Sequence, residues 1–192
     1  MPRFRTAAVA AVATSLLLIP TAAYAHPDDH NIDSTELSAN TSRLAYDSSS
    51  GSLTDLNTTV ASALDGASAS ASMFALGLGT VVYLKVKDVS LAAEGQRFGA
   101  HLHAGPCVTD NPSAALGHYN TDLLAGISPA EVGQKTEVWL DFRVSDIGEG
   151  RSTAPVPFVP ASGERSIVIH AQPTMDNGSA GARIACLPFT IE

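Results

Sequence analysis

Positive charge is scarce in this chain. Of its 192 residues only 11 are Lys or Arg against 19 Asp or Glu, a formal net charge of −8. Nucleic acid and anionic membrane are poor partners for such a surface, because both are captured by clustered cations. Cysteine is scarcer still: Cys107 and Cys186 stand alone. No C-x-x-C spacing supports a thiolate metal site or redox pair, and in an exported protein two such cysteines read as one disulfide. Long apolar runs are lacking as well. The stretch from Ala7 to Ile19 falls short of the ~20 apolar residues that a membrane span needs, and no later segment approaches that length, so no membrane insertion is expected. Nor is there a dinucleotide fingerprint, since Val82 stands where Gly77-Leu78-Gly79 would need a third glycine.

The amino-terminal end carries an address. Arg3 and Arg5 precede the short apolar run, and Ala23-Tyr24-Ala25 has the small-x-small form of a cleavage site, which predicts a signal peptide over residues 1–25 cut after Ala25. The expected location is secreted, periplasmic or cell-wall associated. Cleavage removes two arginines and no acid, leaving an even more acidic chain. Residues 26–40, HPDDHNIDSTELSAN, offer little to bury and are expected to form a polar leader. His26 and His30 lie in it. A new amino terminus at His26 would set an amine beside an imidazole, a conceivable copper pair, but a solvated tail is the simpler reading. Residues 41–192 then form one domain of ordinary size.

Sustained helical periodicity is missing from that domain. Short apolar or alternating segments separated by Gly, Ser, Asp and Pro predict an all-β fold, a sandwich or flattened Greek-key barrel of about eight strands. The segments are Thr58 to Leu64, Ala69 to Leu78, Thr80 to Val89, Arg97 to His103, Lys135 to Val144, Thr153 to Val159, Arg165 to His170 and Ala182 to Ile191. In the fifth, alternation sets Val138, Leu140 and Phe142 on one face and Trp139 on the other. Ser48 to Ser52, with Gly51, reads as a loop. The Asn-x-Ser/Thr triplets at Asn40, Asn57 and Asn177 are common by chance and carry no inference.

What the domain does hold is four histidines, His101, His103, His118 and His170. His101 and His103 are two apart, so on a strand both imidazoles leave one face while Leu102 enters the other. A lone His-x-His pair is weak evidence, being frequent among ordinary hydrogen-bonded histidines. Here His118 follows in Gly117-His118-Tyr119-Asn120, and His170 ends the apolar run Ser166-Ile167-Val168-Ile169-His170. Four imidazoles without thiolate or carboxylate suit Cu(II), whereas structural zinc more often takes thiolates. Four ligands suffice for one ion, not two.

The order of these motifs resembles the copper/zinc superoxide dismutase family over roughly residues 80–192, most closely in FGAHLHAGPC, LGHYN, and SIVIHA with GSAGARIACLPF. The resemblance implies the eight-stranded Greek-key sandwich. It implies copper on His101, His103 and His170, with His118 where the family has the histidine that bridges copper and zinc. It further implies that Arg183 guides an anionic substrate and that Cys107 pairs with Cys186. Residues 121–136, where the family places further zinc ligands, hold Asp122 and Glu131 but no histidine, and the stretch from His170 to Arg183 is short. The chain thus resembles the copper-only members, which lack zinc.

That resemblance implies superoxide as substrate, one copper ion as cofactor, and His118 and Arg183 as catalytic residues. His118 would exchange a proton, and a carboxylate would orient its ring in place of zinc, with Asp122, Glu131, Asp141 and Asp176 as candidates. Arg183 would supply positive potential against the overall negative charge; superoxide dismutase is itself the reference case for such focusing. Alternatively, Arg183 braces a loop through backbone carbonyls. Two other readings of the whole stand beside the enzyme: a non-enzymatic exported copper-binding protein that buffers or delivers the metal, and a structural envelope module with a relic site.

Overall fold

Burial alternates residue by residue along the strands that build the domain. The structure, a computed structural model, describes residues 45–192; the expected signal peptide, the leader with His26 and His30, and Asn40 lie outside the described residues. Strand β3 (Ser68–Leu76) sends Ala69, Ala71, Met73 and Ala75 inward, and β4 (Gly79–Lys87) sends Thr80, Val82, Leu84 and Val86 inward. Both follow from a side-chain period of two with one solvated face.

These strands lie in a four-stranded antiparallel sheet ordered β1-β3-β4-β7, with β1 at Tyr46–Ser52 and β7 at Gly150–Val156. A second sheet runs β2-β9-β8-β5-β6, formed by β2 (Thr54–Asp55), β9 (Arg183–Ile191), β8 (Gly163–His170), β5 (Arg97–His103) and β6 (Phe142–Arg143). The chain crosses between sheets after β1, β2, β4, β6 and β7, so neighbours in space are often distant in sequence. Among the described residues nine segments thus stand where about eight were expected, two of them only two residues long.

The core lies between the sheets. Met73, Val82 and Leu84 belong to the same buried cluster as Phe98, Leu102, Ile167, Ile169, Leu187 and Phe189. Each fully buried side chain of this size stabilises the fold by roughly 1.5–3 kcal/mol. Strand β5 is buried on both faces, Leu102 in the core and His101 and His103 beneath loops on the far side. That double burial makes β5 a rigid base for the histidines.

Three expected segments differ. Ser48 to Ser52 is strand rather than loop, paired with β3 from Tyr46↔Phe74 to Ser52↔Ser68. Its side chains stay mostly outside, so no apolar pattern marks it. Residues 58–64 form turns rather than a strand, because side chains take backbone donors there: Thr58 N–H donates to Asp110 Oδ1 and Ser62 N–H to Asp65 Oδ2, just after Asn57 N–H has donated to Asp55 Oδ1. Residues 135–144 pair only in pieces, at the isolated bridges Asn120↔Glu137 and His101↔Trp139 and in β6, after a turn closed by Thr136 N–H on Gly133 O. Val138, Leu140 and Phe142 nevertheless all enter the core.

Cys107 and Cys186 are joined in a disulfide, with Cα atoms 5.9 Å apart across 79 residues. The bond suggests an extracytoplasmic location. No helix among the described residues is long and apolar enough to cross a membrane.

Candidate metal centre

All four histidines converge. His101 and His103 project from β5, and β8 lies beside it with Gly99↔His170 in register. A break in the β8–β9 register between Ile169 and His170 sets off the terminal histidine of β8. His118 arrives on the loop after the disulfide cysteine, held in a bridge with His103 and by Tyr119 N–H on Leu102 O at 2.8 Å. One ring nitrogen from each lies within 4.8 Å of all the others. His101 and His103 are fully buried and His170 nearly so, whereas 17% of the His118 side chain is exposed.

The hydrogen bonds choose one tautomer for each ring. His103 Nδ1–H donates to Leu116 O at 3.1 Å and His170 Nδ1–H to Gly181 O at 3.2 Å. His118 Nδ1–H donates to Glu137 Oε2 at 2.8 Å. Thr174 uses its hydroxyl proton on Asp141 Oδ1 at 2.5 Å, so its oxygen accepts from His101 Nε2–H at 2.7 Å. Four lone pairs are left over: Nδ1 of His101 and Nε2 of His103, His118 and His170. His101 Nδ1 is buried without a protein partner. The Nε2 atoms of His103 and His170 face each other at 3.3 Å, both as acceptors. Opposed lone pairs and an orphaned buried acceptor are unfavourable without a cation among them, so these residues fit a single metal ion.

Electrostatics keep the rings ready to bind. Burial, reinforced by the charges of the other three imidazoles, lowers the His101 pKa to about 2. Burial, with His118 and Arg183 nearby, lowers that of His103 to about 2 as well. His170 is lowered to about 4 by burial, partly offset by the Gly181 carbonyl. Neutral imidazole is the ligand form, so protons do not compete for these three at neutral pH. The donors are nitrogens alone, since both thiols are taken up in the disulfide.

The carboxylate on His118 is Glu137, which none of the four candidates anticipates. Asp122 accepts from Glu131 N–H, and Asp141 serves His101 through Thr174 rather than His118. Glu137 is buried, and its Oε2 also accepts from Trp139 Nε1–H at 2.9 Å while Oε1 accepts from Asn120 Nδ2–H at 2.9 Å. Burial alone would raise its pKa, but these three donors together hold it below the ordinary value. The signal was available in the alternation: Val138 inward puts Glu137 and Trp139 on the opposite face, toward His101 across the bridge.

Arg183 begins β9, in register with His170, and its guanidinium donates to Pro112 O at 2.7 Å. The loop-bracing contact is therefore present. Arg183 also lines a groove with Leu56, Thr59, Asp110 and Gly181, and its charge acts on His103 and His170.

No family model matches the chain, and no curated protein matches it. Solved structures do. The clock protein EA4 superposes with a TM-score of 0.53 at 13% identity, over 78% of this chain and 96% of that one. A double mutant of a SOD-like protein from Bacillus subtilis superposes with a TM-score of 0.50 at 16% identity, over 77% and 97%. The fold is superoxide dismutase-like.

Proposed function

We propose that this chain is an exported copper-dependent superoxide dismutase that works without zinc, converting two superoxide ions and two protons to dioxygen and hydrogen peroxide. The observation that carries the reading is the four-imidazole cluster, one ring nitrogen of each within 4.8 Å of the others, with hydrogen bonds that leave each ring one bare nitrogen. Copper held by His101, His103, His118 and His170 would supply one-electron cycling, which an imidazole set tolerates in both oxidation states.

The remaining work belongs to the chain. Glu137 orients the His118 ring from the side where the resembling family has its second metal, so the ring keeps its position without zinc. His118 is the most accessible of the four, and its Nε2 is the atom able to take and return a proton. Arg183 supplies positive potential beside the cluster, which an acidic protein needs to draw in an anion. The predicted signal peptide and the disulfide together support export.

A second reading is supported by enclosure. His101 and His103 have no exposed surface, which suits an ion kept rather than used, as in a copper buffer or carrier. Superoxide decay by pulse radiolysis on copper-loaded protein, with metal content measured on the same sample, separates the two. Fast decay with one copper and no zinc, lost in His101→Ala, is expected for the enzyme. One tightly held copper without decay would replace the enzyme by the carrier, and no copper uptake would sink both.

A further inference from the structure

His101 is held differently from the other three imidazoles. His103 and His170 lean on backbone carbonyls and His118 on a carboxylate directly, but His101 reaches Asp141 only through a hydroxyl. We infer that Thr174 and Asp141 are positioning residues for the metal centre, a hydroxyl relay that passes the charge of Asp141 to His101 and holds its Nδ1 lone pair toward the ion. This rests on the copper reading above.

The relay is built with redundancy. Asp141 Oδ1 accepts the Thr174 hydroxyl proton, and its Oδ2 accepts Thr174 N–H at 2.8 Å, so the carboxylate grips this residue by side chain and backbone. A direct His101–Asp141 contact is too long, at 3.9 Å from Nε2 to Oδ1. The hydroxyl therefore does what the carboxylate cannot reach to do. A chain of hydrogen bonds polarises along its length, so the run from Asp141 through Thr174 to Nε2–H fixes the tautomer and orientation of the His101 ring.

The fold makes room for the relay at one glycine. A Cβ on Gly99 would sit 2.7 Å from Ala180 Cβ, 2.8 Å from Gln172 O and 3.0 Å from Thr174 Oγ1. Gly99 N–H moreover donates to Gln172 O at 2.8 Å. The segment between β8 and β9 thus rests directly on β5 two residues before His101. It also supplies Gly181 O to His170, so one short segment orients two of the four ligands.

Two measurements test this, one without metal. In metal-free protein, the His101 Nε2–H should give a slowly exchanging downfield proton resonance that persists in Thr174→Ser and disappears in Thr174→Val. With Cu(II) added, Thr174→Val and Asp141→Asn should weaken copper affinity roughly ten- to hundredfold and shift the copper EPR hyperfine splitting, while Thr174→Ser stays near the parent. Thr174→Ser guards against mere misfolding, since it keeps the hydroxyl and loses only a methyl. If the parent and Thr174→Val share the resonance, the affinity and the spectrum, the relay is wrong. If the parent itself takes up no copper while the resonance behaves as expected, the copper reading fails and the relay stands as the anchor of His101.

Discussion

At the scale of single residues, the centre is an arrangement of neutral imidazoles that acid should disturb. Their folded pKa values, about 2 for His101 and His103 and about 4 for His170, lie below the ordinary 6.5. Below pH 6.5 the unfolded chain therefore binds protons at these positions that the folded chain refuses, so metal-free stability falls as pH drops and is unaffected above that value. Glu149, ion-paired to Lys85 and Arg151 and lowered to about 2 from 4.5, adds a loss in the same direction between those two pH values. Urea midpoints of metal-free protein at pH 7.5, 6 and 5 should decrease in that order; a flat series would contradict the burial argument. Glu137→Leu should leave Asn120 and Trp139 donors unsatisfied and free the His118 ring. The expected cost is about 1–3 kcal/mol in chemical denaturation and ten- to hundredfold in copper affinity.

At the scale of elements, rigidity comes from β5 being pinned on both faces, and close backbone approach is what permits it. Gly150 on β7 lies against the Phe142 ring, where an added Cβ would overlap the ring. Gly150→Ala should accordingly destabilise by about 1–3 kcal/mol while leaving copper stoichiometry at the parent value. Thermal melts paired with metal analysis check this, and a loss of copper binding at unchanged stability would show that β7 couples to the site in some other way. The loop of residues 104–117 works in the opposite sense, as an irregular segment tied down at several points. It presents Leu116 O to His103 and Pro112 O to Arg183, and its disulfide fastens it to β9.

At the scale of the whole molecule, that disulfide closes a span of 79 residues and should contribute roughly 4 kcal/mol by chain-entropy reasoning. Replacing both cysteines by serine should lower stability by that order and loosen the anchors of His103 and Arg183 together. A double variant with parent stability in urea would contradict it. Net charge sets the remaining global effect. An acidic protein repels an anion at long range, so on the proposed function Arg183→Ala should slow superoxide decay roughly tenfold at low ionic strength and flatten its salt dependence, with copper content unchanged. Equal rates in the two proteins at all salt concentrations would reduce Arg183 to its contact with Pro112.

Local pattern and residue chemistry were enough to specify the alternating strands β3 and β4, the pair His101 and His103 on one face, the four-imidazole donor set and the single disulfide. Each depends on residues adjacent in the chain or on types too rare to be ambiguous. Contacts between elements decided the rest. Strand β1 is held by backbone pairing with β3, which asks nothing of its serine side chains, and residues 58–64 became turns because Asp65 and Asp110 claimed donors within them. Glu137 and Thr174 became partners of His118 and His101 only because separate segments crossed at β5. Which lone pair each ring presents was set there too, since a tautomer is chosen by the group that packing brings to the other nitrogen.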